Sequence, residues 1–103
     1  MAISNAAVPL TTPSAIYTST NNTAVTNVYF CNYSGSSVTV DVYLVPNGGS
    51  AANTNIIYKT ISIPAANTFV MDTEKLILGN GDSLQASASA ATSVTATISY
   101  LSI

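Results

Sequence analysis

The chain contains no histidine, no arginine and no tryptophan, and of its 103 residues only Lys59, Lys75, Asp41, Asp72, Glu74 and Asp82 are charged. An ordinary globular domain devotes about a quarter of its residues to charge. Each absence removes a class of function. Two lysines cannot neutralise a phosphate backbone, so nucleic acid is not an expected partner. Without histidine, proton transfer near neutral pH would fall to four carboxylates, and the chain reads as a non-enzyme with no cofactor. Cys31 is the only cysteine, which permits neither an internal disulfide nor a thiolate metal cluster. Set in "NVYFCNY", it reads as a small hydrophobe on a strand rather than a reactive thiol. No apolar run approaches the ~18 residues that a membrane helix requires, so no membrane association is expected. The opening "MAISNAAVPLTTPSA" has no basic residue and no continuous apolar stretch, so it does not read as a signal peptide, and synthesis in a cytoplasm is expected.

What is present instead is neutral polarity: 14 serines, 14 threonines and 10 asparagines. Low charge combined with substantial hydrophobicity argues against disorder, which needs the opposite balance. The apolar residues alternate with a period of two. In "SVTVDVYLV" (37–45), Val38, Val40, Val42 and Leu44 fall on one face, and Thr39, Asp41 and Tyr43 on the other. In "SLQASASA" (83–90), Leu84, Ala86, Ala88 and Ala90 read as inward, and Ser83, Gln85, Ser87 and Ser89 as outward. "SVTATISYLSI" (93–103) sets Val94, Ala96, Ile98 and Tyr100 against Thr95, Thr97 and Ser99. Segments 15–19, 24–32, 55–63 and 68–72 also read as strands, and a change of phase within "AVTNVYFCN" predicts a bulge. "DTEKLIL" (72–78) could form a single helical turn. The expected fold is all-β: one antiparallel β-sandwich of seven or eight strands over residues 16–103, Ig-like or jelly-roll-like, preceded by an extended arm at 1–15.

"LILGNGDSL" (76–84) is the densest stretch of candidate chemistry. Its glycines feed a strand rather than a helix, which rules against a phosphate loop. Asp72, Glu74, Asn80 and Asp82 are hard oxygen donors that could suit calcium. A tight corner explains the same residues: Gly79 and Gly81 supply positive φ, Asn80 tolerates it, and Asp82 bonds back to the turn. The corner is the preferred reading, and no metal site is assigned. Tyr17, Tyr29, Tyr33, Tyr43, Tyr58 and Tyr100 could line a sugar-binding face, but half-buried strand and interface positions suit them better. The sequons at Asn21 and Asn32 carry no weight in a chain so rich in Asn, Ser and Thr.

The run "YTSTNNTAVTNVYFCNYSGSSVTVDVYLVPNGGSAANTNIIYKTISIPAANTFVMDTEKLILGNGDSL", with "IPAANT" before a strand and "LGNGDSL" after one, resembles small structural proteins of tailed-phage virions. These include capsid decoration (cement) proteins and small tail or fibre β-modules. The resemblance implies a non-enzymatic virion component that binds and stabilises the capsid lattice. Its partners would be the major capsid protein or other virion subunits and further copies of itself, a trimer being favoured. A tail, neck, baseplate or fibre component is the alternative, as is a carbohydrate-binding adhesin module.

Within that reading the arm has a specific role. Pro9 and Pro13 cannot donate to a sheet ladder and hold the chain extended. Ile3, Val8 and Leu10 are therefore expected to anchor the arm on a neighbouring subunit, and removal of residues 2–12 is expected to leave the domain folded.

Overall fold

A computed structural model of the chain describes residues 2–8, 12–71, 76–90 and 92–103. Among the described residues the alternation in the sequence becomes nine strands: β1 (Ala2–Val8), β2 (Ser14–Thr18), β3 (Thr23–Asn32), β4 (Val38–Val45), β5 (Ile56–Ile63), β6 (Thr68–Met71), β7 (Leu76–Leu78), β8 (Ser83–Ala88) and β9 (Val94–Ser102). They form two antiparallel sheets, β1-β9-β3-β6 with β7 also on β3, and β2-β8-β4-β5. The fold is the expected all-β sandwich.

The connectivity decides between the two sandwich types. The first strand lies beside the last, the second beside the second-last, β3 beside β6 and β7, and β4 beside β5. Such nested pairing is that of a long hairpin rolled into two sheets, the jelly roll. The count exceeds the expected seven or eight for two reasons. Residues 2–8 form a strand, and one strand position is shared by two pieces along β3. β7 pairs with Thr23–Val25 and β6 with Val28–Cys31. The expected helical turn is absent at 76–78, which is β7, while its first residues, 72–75, lie outside the described part.

The arm differs most from expectation. Ala2–Val8 pairs residue by residue with β9, from Ala2↔Tyr100 to Val8↔Val94. This segment is an edge strand of the domain's own sheet. Both prolines follow it in the chain rather than interrupt it, so its ladder loses no amide. Of the three expected anchors, Val8 is 2% exposed and belongs to the protein's own core, which removes it from any docking surface. Ile3 points outward, and Leu10 lies outside the described residues.

The core comes from the inward faces of both sheets, including Val25, Val28, Phe30, Val40, Val42, Leu84, Val94 and Ile98. Phe30 sits opposite Ala96 in the β3–β9 register, so a large ring has a small neighbour on the same face. Burial of each large aliphatic side chain contributes roughly 1.5–3 kcal/mol. The bulge expected in β3 occurs between Val25 and Asn27, where the pairing with β9 slips. At the end of β4 Val45 is buried, and Leu44, read as inward, is only partly so. Ser83 and Ser87 lie on the outward face as expected but are nonetheless buried. β8 is flanked on both sides by β2 and β4, and small side chains there are overshadowed by larger neighbours.

Candidate functional site

Three places bear on function, and the first is the corner at 79–82. Asp82 Oδ2 accepts from the Gly79 amide at 2.9 Å, and its Oδ1 accepts from the Asn47 amide at 2.8 Å. The Asp82 amide donates to Gly79 O at 3.1 Å, closing the turn. Asn80 Oδ1 accepts from the Asn21 amide at 2.9 Å. The bond to Gly79 is the one the corner reading expects, and the bond to Asn47 makes the carboxylate a staple joining two loops. Gly79 and Asn80 do not adopt the expected positive φ; Gly81 alone in this turn does, at 85°. Asp72 and Glu74 lie outside the described residues, and among the described residues no three metal-ligating side chains come together. A Cβ at Gly81 would stand 2.5 Å from Asn47 Cγ. Gly81→Ala is therefore expected to lower stability by about 1–3 kcal/mol, from the left-handed backbone and the clash together. Urea denaturation checks this, and a loss below about 0.5 kcal/mol would mean that the loops relax freely around the methyl group.

The second place is the outer face of the β1-β9-β3-β6 sheet. Alternation brings Ile3, Tyr29, Val70, Ile77 and Leu101 to this one face, and all five are exposed. The register sets Tyr29 beside Val70, and Ala24 between Ile77 and Leu101. Around them stand Asn5, Thr95, Thr97, Ser99, Cys31 and Thr68, and none of the described charged residues is on this face. Cys31 is half-buried and free. An exposed apolar cluster without charges is the surface chemistry of an interface.

The tyrosines do not form one platform. Tyr17 packs on Tyr100 with ring centroids 4.7 Å apart, and Tyr58 meets Phe69 edge-on at 5.9 Å. Tyr29 belongs to the outer face just described, and Tyr33 is exposed in the loop after β3.

The third place is a pocket of about 240 Å³ on the opposite outer surface, lined by Thr39, Asp41, Thr60, Ser87, Ala88 and Ser89. Alternation on β4 points Thr39 and Asp41 outward, and Ser87 lies opposite Asp41 in the register. A bulge in β5 sets both Lys59 and Thr60 against Asp41. Asp41 Oδ1 accepts from the Thr60 amide at 2.7 Å, and Oδ2 lies 3.5 Å from Lys59 Nζ. Thr60 is held at φ 57°, a region that costs a β-branched residue on the order of 1–3 kcal/mol. The Asp41 carboxylate is what holds that bulge in place. None of these residues stands out in the sequence, because the bulge that gathers them depends on pairing between β4 and β5.

No protein-family model matches the chain, and no curated protein is significantly similar to it.

Proposed function

We propose that this chain is a non-enzymatic structural protein of a phage virion, a capsid decoration protein that binds and stabilises the capsid lattice. Its partners are the major capsid protein and further copies of itself, with a trimer as the favoured oligomer. The observation that supports this reading is the outer face carrying Ile3, Tyr29, Val70, Ile77 and Leu101, uncharged among its described residues. Such a face is poorly suited to bulk water and well suited to burial against a repeated partner surface. The jelly roll is compatible with the role, since viral shells use it, but the fold also serves lectins and enzymes and adds only an analogy. The scarcity of charge fits a component used at high local copy number, held by contact area rather than by ion pairs.

Quantitative mass spectrometry of purified particles tests the proposal. Several hundred copies per particle place the chain on the capsid, a dozen or so place it in the tail, and absence from particles ends the reading. In the same preparation, a double variant Ile77→Lys, Leu101→Glu should keep its melting curve, since both side chains are already exposed, and should lose particle binding. Undiminished binding would mean that another surface makes the contact.

A further inference from the structure

We infer that the pocket over Asp41 and Ser87 is a binding site for a single sugar ring, independent of the apolar face on the other sheet. Ser87 carries the inference. Its residue is only 5% exposed, it lines the pocket, and its hydroxyl has no hydrogen-bond partner among the described residues. No fully buried side-chain oxygen among the described residues lacks a partner, so the Ser87 hydroxyl is reached from the pocket. A hydroxyl that opens onto a pocket and bonds no protein atom is free to bond what enters it.

The rest of the lining specifies the occupant. Asp41 has used one lone pair of Oδ1 on the Thr60 amide, and the exposed Lys59 reaches Oδ2 only at 3.5 Å. Acceptor capacity is left facing the pocket. Ser89 Oγ accepts from the Thr39 amide at 2.9 Å, which leaves its own hydrogen free to donate. The lining therefore offers one ionised acceptor surrounded by hydroxyls that both donate and accept. An anion would meet the Asp41 carboxylate, and an apolar ligand would leave the hydroxyls unpaired. An ammonium would compete with Lys59 for the same oxygen. Neighbouring hydroxyls of a sugar match the set, since each can donate to Asp41 while accepting from a serine or threonine. The volume of about 240 Å³ lies below that of pockets for drug-sized ligands and suits one ring. Thr60, held in the left-handed region with its amide on Asp41, adds to the pocket wall.

The test is titration of the full isotope-labelled chain with glucose, galactose, mannose, rhamnose and N-acetylglucosamine at millimolar concentration, followed by amide NMR. At least one sugar is expected to shift the amides of Thr39, Asp41, Thr60, Ser87 and Ser89 saturably, while glycerol does not. Ser87→Ala should weaken that binding about tenfold, the worth of one hydrogen bond. The same variant should keep its melting temperature, because the hydroxyl it removes has no protein partner. The inference is overturned if no sugar shifts these amides, if glycerol shifts them equally, or if Ser87→Ala binds as the parent does. A Ser87→Ala chain that melts markedly earlier also overturns it, since the hydroxyl would then be structural.

Discussion

Asn32→Asp is expected to destabilise the protein by about 3–5 kcal/mol, a large part of the roughly 5–15 kcal/mol that holds a domain of this kind together. Asn32 is 0% exposed at the end of β3. Its Nδ2 donates to Ser36 O at 2.8 Å, Ile63 O at 2.9 Å and Pro64 O at 3.2 Å. Its Oδ1 accepts from the Ser34 amide at 3.0 Å and from Ser34 Oγ at 2.6 Å. One amide therefore ties the β3–β4 loop to the end of β5, which lies in the other sheet. An aspartate of the same shape would turn a donor into a second anionic oxygen facing three carbonyls. Burial and those carbonyl dipoles would raise the new carboxyl's pKa above its unfolded value. A raised carboxyl favours the folded state most below the unfolded pKa, and that advantage is lost as pH rises through the folded pKa. The deficit relative to the parent should accordingly be complete above the folded pKa, shrink as pH falls from there towards the unfolded value, and be least below it. Denaturation at neutral and acidic pH measures both effects. A loss under about 1 kcal/mol at neutral pH would mean that the site admits water. The same burial leaves no room for a glycan on Asn32 in the folded chain.

Removal of residues 2–8 is the second large effect. The deleted chain is expected to lose cooperative unfolding or to aggregate. β9 would lose all seven register partners in β1, and the core would lose Val8. Burial of Val8 alone is worth roughly 1.5–3 kcal/mol, and each lost ladder hydrogen bond about 0.5–1.5 kcal/mol. The sum is comparable with the whole stability of a small domain. A newly bared β9 would also present an unpaired edge to other chains. Circular dichroism melting with size-exclusion chromatography distinguishes the outcomes. A deleted chain that stays monomeric and melts within a few degrees of the parent would return these residues to the role of a detachable arm. Val8→Asp should reproduce most of the effect in the intact chain, by placing a charge in the core.

Alternation in β4 and β9 marked the core face correctly at Val38, Val40, Val42, Val94, Ala96 and Ile98. A period of two follows directly from strand geometry and needs no knowledge of neighbours. The bulge in β3 was legible for the same reason, because it breaks that period within a single strand. Asp82 announced its turn because its staple to Gly79 is local, spanning three residues. Its bond to Asn47, 35 residues away, was not legible.

β1 was missed because "AISNAAV" carries few large hydrophobes and stands beside prolines. Its partner, β9, lies at the far end of the chain: the Asn5 side chain donates to Thr97 Oγ1 across 92 positions. The pocket was missed because Asp41, Thr60 and Ser87 come from three strands, joined by a bulge that neither strand shows alone. Asn32 gave no signal either, since an asparagine after a strand is ordinary until its carbonyl partners are known.

By itself, then, the sequence determined that this protein is all-β, charge-poor and built from alternating strands, because those properties depend on residue type and local spacing. The tertiary structure alone decided that the strands nest as a jelly roll, that residues 2–8 belong to the domain, and that five exposed apolar residues share a face. Those outcomes depend on which strands pair and in what register. Pairing is governed by burial summed over both sheets, a quantity no single segment contains.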